Sequence, residues 1–410
     1  MNQIRIGITA KNFYLWDGGI DFIATIAQGI ENDASASTYL LLKDDSFFLK
    51  IAKMMKIVLK NKFSITRIQS EIKNYHLRYD RLISVFQECS PNTEILWYKG
   101  NYYDDNRRIM DCLCKYAIDI LMPHNGYFIG DIRVPWVGYM YDFQHEYLPE
   151  LFSKNDIKTR REELRVRLEN TKYIIVNAKD VKNDIKKFYP ENDSTIFVLP
   201  FAPFQKPKFS GNSNLLLYNL PNRYFMISNQ FWCHKNHLVA FDALEKLYND
   251  GYNDIHIVCS GKLEDSRNPE YINMLRNRVK EMNCQQNIHF LGYIPKPDQI
   301  AIMRNAIGLI QPTLFEGGPG GGAVYNALCL GITCLISDIK VNREITGYDN
   351  VYFFDPNNSS ELATLMLGHS LDYRLPDELV ERKIEENKRF YSESLINFAK
   401  KIVQDFQTAK

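Results

Sequence analysis

The sequence predicts an α/β protein built on parallel sheets covered by helices. Short apolar runs recur along the chain, and each is followed by a longer stretch with helical spacing. The 410 residues are 45% hydrophobic and 24% charged, enough apolar material for two or three globular domains and too little charge for a disordered chain. In the second half six such runs follow one another, sufficient for one doubly wound domain.

Taken in order, the first half shows strands at Ile4–Thr9, Tyr173–Asn177 and Thr195–Phe201, with less regular ones near Ile95–Tyr98 and Trp136–Met140. The stretch Pro200–Asn222 holds four prolines, Gly211 and several Asn and Ser, as an interdomain linker would. The expected organisation is a first domain over 1–205, a linker over 206–222 and a second domain over 223–384. The second domain's strands are Tyr224–Asn229, Ile255–Gly261, Ile288–Ile294, Ile307–Thr313, Ile332–Asp338 and Val351–Pro356. Helix patterns lie between them, as at His237–Asn249, where Leu238, Phe241, Leu244, Leu247 and Tyr248 share one face. A last helix within 385–410 has no strand left to follow and is expected to cross back to the first domain.

Charge and cysteine usage exclude several classes. Lys plus Arg number 50 against 49 for Asp plus Glu, so no global field favours a nucleic acid polymer. The eight cysteines form no C-x-x-C pair and read as reduced thiols of a cytoplasmic protein. Met1–Ala10 is too short for the apolar region of a signal peptide. The longest uncharged window, 317–337, opens with five glycines and a proline, so no membrane span is expected.

The segment with the most chemistry is Thr313-Leu314-Phe315-Glu316-Gly317-Gly318-Pro319-Gly320-Gly321-Gly322, which follows a strand and opens into a helix pattern. Glycines let backbone approach a ligand closely, and the free N–H groups of a helix start attract anions such as a diphosphate. No G-K-[ST] follows, so the loop is not of the Walker type, and the chain's first strand lacks G-x-G-x-x-G. Neither D-x-D nor H-E-x-x-H occurs, which removes two common metal sites. No metal and no cofactor are expected.

Several segments in chain order resemble the retaining, nucleotide-sugar-dependent glycosyltransferases of family four, which have the GT-B fold of two Rossmann-like domains facing each other across a cleft. Trp16-Asp17-Gly18-Gly19 resembles the glycine turn after their first strand. Asp142-Phe143-Gln144-His145 with Leu148-Pro149-Glu150 resembles a signature of bacterial members. Asn229-Gln230-Phe231-Trp232-Cys233-His234-Lys235 resembles their phosphate-binding turn, and Phe290-Leu291-Gly292-Tyr293-Ile294 their nucleobase pocket. The sequence departs from the family at three points. Asn326 stands for the second of two glutamates and lies ten residues after Glu316 rather than eight, Gln230 stands for an arginine, and Tyr141 for a histidine.

The resemblance implies transfer of a sugar from a UDP- or GDP-type donor to a glycan or lipid-linked acceptor, in bacterial surface polysaccharide synthesis. It implies that Glu316 orients the donor sugar and that Lys235 and the amides of Gly318, Pro319, Gly320, Gly321 and Gly322 meet the diphosphate (Pro319 through its neighbours, having no N–H). Gly18, Gly19, Asn229, Gln230, Gly292, Tyr293, Ile294 and Asn326 complete the implied donor site, and Asp142 and His145 face it. His124 is a second candidate, while His234 and His237 are read as capping the helix beside Lys235. Two alternatives stay open: a nucleotide-sugar epimerase of the same fold and a non-catalytic nucleotide-sugar-binding partner.

One feature bears on the acceptor. From Phe47 to Phe63 the chain has no acid, and Lys50, Lys53, Lys56 and Lys60 gather on one side of a helical wheel. Such a helix either packs normally with a solvated lysine face or makes peripheral contact with an anionic membrane.

Overall fold

The computed structural model describes residues 3–45, 80–100, 105–201, 204, 215–265, 267–370 and 374–408. The basic segment 47–63 lies outside these residues, as does most of the 206–222 linker; of the latter, Leu215–Tyr218 forms a short 3-10 turn. The described strands form two sheets. β1 (Ile4–Thr9), β2 (Ala36–Asp45), β3 (Glu94–Gly100), β4 (Ile120–His124), β5 (Trp136–Tyr139), β6 (Tyr173–Val176) and β7 (Thr195–Val198) pair in the order β3-β2-β1-β4-β5-β6-β7. β8 (Tyr224–Ser228), β9 (His256–Ser260), β10 (Ile288–Gly292), β11 (Gly308–Gln311), β12 (Thr333–Ser337) and β13 (Val351–Phe354) pair in the order β10-β9-β8-β11-β12-β13.

Every neighbouring pair in both sheets is parallel. Parallel strands are covered on both faces, and their side chains show it: all five residues of β8, of β12 and of β4 are buried. Helices His237–Asn249, Tyr271–Glu281 and Ser359–Gly368 bury Phe241, Leu275 and Met366 on one face of the second sheet. Lys296–Asn305 and Gly321–Cys329 bury Ile302, Val324 and Leu328 on the other.

Two strands of the first sheet have no counterpart in the sequence reading, β2 and β4. The last helix also starts earlier than expected, at Asp377 rather than Glu385, and runs to Thr408. Its start packs on the second half, where Val380 lies against Gly331. From Tyr391 onward it belongs to the first half: Tyr391, Leu395, Ile396, Ala399 and Ile402 join the core formed with helix Asp17–Glu31. The Tyr391 hydroxyl donates to the Pro200 carbonyl at 2.7 Å.

The two halves also touch directly. The carboxylate of Glu344, from the second half, accepts the backbone N–H groups of Lys179 and Asp180 at 2.8 Å each. A negative group at the start of helix Lys179–Phe188 satisfies amides that have no partner within the helix. Lys340 pairs with Asp180 beside it.

Candidate functional site

In each sheet the chain runs outward in opposite directions from one pair of adjacent strands, β1 and β4 in the first and β8 and β11 in the second. Loops diverge at such a point and leave a crevice beyond the strands' carboxyl ends. Between the halves lies a cleft of about 1310 Å³ lined by residues of both.

The second half's crevice carries a connected polar chain. Asn229, just past β8, donates its side-chain amide to Gln311 at the end of β11 at 2.6 Å. Gln311 in turn donates to Glu316 Oε1 at 3.0 Å, and Lys235 Nζ lies 2.5 Å from the same oxygen. Glu316 and Lys235 are both 12% exposed, so their pairing takes place in a partly desolvated site, where charges interact more strongly than in water. Lys235 ends a 3-10 turn, Cys233–Lys235, which Asn236 closes in the left-handed region at φ 51°. The turn is anchored twice: the His234 carbonyl accepts Leu314 N–H at 2.8 Å, and Asp265 accepts Cys233 N–H at 2.9 Å.

The glycine-rich loop divides its work. A Cβ on Gly317 would stand 2.3 Å from the Tyr141 carbonyl, and one on Gly318 would stand 2.5 Å from the Phe201 ring. These two glycines therefore let the second half approach the first. Gly320 takes φ 71° as N-cap of helix Gly321–Cys329, and its N–H goes to Asn342 Oδ1 at 2.8 Å. The Pro319 carbonyl accepts the Tyr325 hydroxyl. Gly321 and Gly322 line the cleft, and space is open around Gly322. Of the cradle expected over 318–322, Gly318 and the helix start at Gly321 and Gly322 line the cleft, where backbone amides suit an anion, while Pro319 and Gly320 are bonded internally. One turn on, Asn326 also lines the cleft and donates to the Gly322 carbonyl at 3.1 Å.

The opposite wall comes from the first half. Asp142 lines the cleft, its Oδ1 accepts Gln144 N–H at 3.0 Å, and burial pushes its carboxyl above the usual range, reinforced by Glu316. Gly18 and Tyr293 line the cleft as well. Gly19 does not: its backbone packs on the Phe13 carbonyl and the Trp16 ring, where a Cβ would come within 2.5 Å.

Other expected donor residues are structural too. Gly292 takes φ 70° and its carbonyl accepts Gly261 N–H, while Ile294 is buried in the second-half core. Gln230 is not part of the cleft lining, although Lys235 is.

The histidines are buried rather than presented. His145 is 1% exposed, stacks on Phe143 and meets Phe152 edge-on, so the neighbouring Gln144, not His145, reaches the cleft. His124 is fully buried, its Nδ1 3.0 Å from Thr9 Oγ1 and its ring stacked on Phe128. Neither His234 nor His237 caps a helix through its side chain. Burial, aided by Lys235, pushes His234 down to about 2 and His237 down to about 3, so both rings are neutral.

Three cleft or chain residues escaped the sequence reading. Gln311 was legible in principle, as a polar residue ending an otherwise apolar strand before Glu316. Gln144 lies inside the segment Asp142–His145, next to the histidine. Arg267 has no sequence signal, because only the folded chain brings its turn to Trp232 and His234. Among the described residues no three His, Cys, Asp or Glu side chains are grouped to hold a metal ion, and no helix is long and apolar enough to cross a membrane. All eight cysteines are free thiols.

Comparison with known proteins bears on the second half first. The family described as Glycosyl transferases group 1 matches residues 216–386. Protein CapJ of Staphylococcus aureus is 29% identical over 200 residues, 45% of this chain and 46% of that protein, so the match spans about half of that relative's length. A glycosyltransferase from Rickettsia africae has a TM-score of 0.60 at 14% identity over 98% of this chain and 99% of its own. HepE of Anabaena, solved in complex with UDP and glucose, has a TM-score of 0.56 at 13% identity over 99% of this chain and 100% of its own. At such identities the likeness establishes the fold, which is GT-B across both halves.

Proposed function

We propose that the chain is a glycosyltransferase that carries a sugar from a nucleoside diphosphate, UDP or GDP, to a glycan or lipid-linked acceptor, a reading supported by the match of residues 216–386 to the family described as Glycosyl transferases group 1. The observation that carries this is the chain Asn229–Gln311–Glu316–Lys235 at the mouth of the second sheet, opening onto a cleft shared with the first. When the sugar leaves, negative charge grows on the departing phosphate oxygen. The Lys235 ammonium and the helix start at Gly321 and Gly322 are the groups that meet it. Glu316, held from behind by Gln311 and Lys235, offers its carboxylate to hydroxyls of the donor sugar, and Asp142 faces it from the other wall. Transfer proceeds with retention of anomeric configuration and needs neither metal nor cofactor, since protein cations and amides supply the charge at the phosphate.

The matched relative is a protein CapJ, which favours capsule or other surface polysaccharide as the setting. HepE was solved with UDP and glucose, which favours a UDP-sugar as donor. The enzyme works in the cytoplasm, peripherally at the inner face of the membrane when its acceptor is lipid-linked.

The test is to incubate the full chain with labelled nucleotide sugars and acceptor fractions and to follow free nucleoside diphosphate. Release coupled to label in the acceptor is expected. Binding without release would leave only a sugar-nucleotide-binding partner, and conversion of the sugar nucleotide without release would point to an epimerase.

A further inference from the structure

Lys235 alone does not balance a diphosphate, and of the other cations lining the cleft the one beside its turn is the candidate partner. A diphosphate brings more than one negative charge, and Lys235 is already paired with Glu316 at 2.5 Å. Gln230, whose position the resemblance would give to a second cation, is neutral and outside the lining.

A different arginine stands beside the same turn. Arg267 lines the cleft and lies with one terminal nitrogen 3.4 Å from His234 Nδ1, next in sequence to Lys235. The neutral His234 ring is able to accept that hydrogen bond. A single buried carboxylate ties the two turns together: Asp265 Oδ2 accepts Cys233 N–H at 2.9 Å, and its Oδ1 accepts the N–H groups of Arg267 at 3.0 Å and Asn268 at 3.3 Å. Lys235 and Arg267 are thus set relative to each other by one side chain that is 4% exposed.

The guanidinium is also pre-oriented. It lies 5.3 Å from the Trp232 ring centroid and 4.9 Å from that of Phe152, and its other terminal nitrogen donates to Gln144 Oε1 at 2.8 Å. A guanidinium has five N–H donors in a planar fork. Gln144 and His234 take two of its hydrogen-bonding directions, and among the described residues no other partner takes the rest, which suit phosphate oxygens.

We propose that Arg267 is the second cation of the donor diphosphate site, taking the place left by Gln230. It extends the donor reading above and rests on it. Gln144 and Phe152 belong to the first half, so a diphosphate gripped by Arg267 is also held against that half.

The test compares UDP and GDP with UMP and GMP by calorimetry on the full chain and on folded variants. The wild type should favour the diphosphate by tenfold or more. Arg267→Ala should lower diphosphate affinity at least tenfold while changing monophosphate affinity less than twofold, and Arg267→Lys should recover part of the loss. If Lys235→Ala removes the diphosphate preference but Arg267→Ala leaves it intact, Arg267 only braces the two halves, and the proposal fails while the donor site stands. If the wild type binds neither diphosphate, both fall together.

Discussion

The molecule contains the same topological opportunity twice and uses it differently. At the first sheet's switch point, Thr9 ends β1 and His124 ends β4, and both are fully buried and joined at 3.0 Å. At the second, the corresponding strands lead to Asn229 and Gln311, whose amides pass on to an ionised pair at the cleft. Strand order alone does not distinguish these two places. Side-chain chemistry does, and function is therefore assigned from the site rather than from the fold.

The largest effect is expected where the second crevice is broken. Glu316→Gln keeps size and most hydrogen bonds but removes the charge that holds Lys235 and that the proposed function sets against the donor sugar. Turnover should fall by on the order of a hundredfold, with diphosphate affinity changed far less. Steady-state kinetics with the true donor checks this, and wild-type turnover would remove Glu316 from the sugar site.

Thr9→Val makes the matching break in the first crevice. It leaves His124 Nδ1 without its partner in a fully buried place, which should cost about 1 to 3 kcal/mol of stability. Donor affinity should not move. Chemical denaturation beside nucleotide titration separates the two outcomes, and a large loss of affinity would mean that the first crevice also serves the donor.

Acid should destabilise the fold through buried rings in both halves. His124, His234 and His237 are all held below their ordinary value, in each case mainly by burial. Below about pH 6.5 the unfolded chain takes up protons on these rings while the folded chain does not, so stability falls as pH falls through that value. The decline continues toward the folded-state values of about 3 and 2 for His237 and His234. Each ring contributes up to about 1.4 kcal/mol per pH unit. His237→Phe, which keeps the stacking on Phe231 at 4.3 Å, should lower the slope of stability against pH by one group. An unchanged slope would show that His237 is protonated in the fold.

The smallest effect is expected from Gln230→Arg, less than tenfold on diphosphate affinity, because that side chain does not line the cleft. A large gain in the same nucleotide titration would mean that the cleft admits a cation there.

The two halves also differ in how much of them was legible. All six strands of the second sheet were readable, because a strand buried on both faces is written as a continuous apolar run, as in Tyr224–Ser228. In the first half, β2 escaped because its apolar centre, Tyr39–Leu42, runs straight into Lys43, Asp44 and Asp45. β4 escaped because Pro123, normally a mark against a central strand, sits inside it next to His124.

Within the site, Glu316 and Lys235 were legible because each stands in a segment with its own local pattern. Arg267 was not, since its placement comes from Asp265 joining two turns about thirty residues apart, a tertiary fact with no local trace. His145 was misplaced for a related reason. Its neighbours Phe143 and Phe152 bury it, and the signature around it shows which residues are near the cleft but not which of them turn inward.

The terminal helix has a consequence for how the protein is made. Lys400 bonds to Ser35 across 365 residues of chain, and Tyr391, Leu395 and Ile402 complete a core that helix Asp17–Glu31 begins. Ribosomes add roughly 5 to 20 residues per second, so the helix follows its first partners by roughly 20 to 70 seconds. Throughout that interval the growing first half lacks the cover that Tyr391 and Leu395 will place over Gly29 of helix Asp17–Glu31. The start of the chain therefore reaches its native core only after the second half has been synthesised, and a nascent chain stalled before Tyr391 displays an open apolar surface to the chaperones around it.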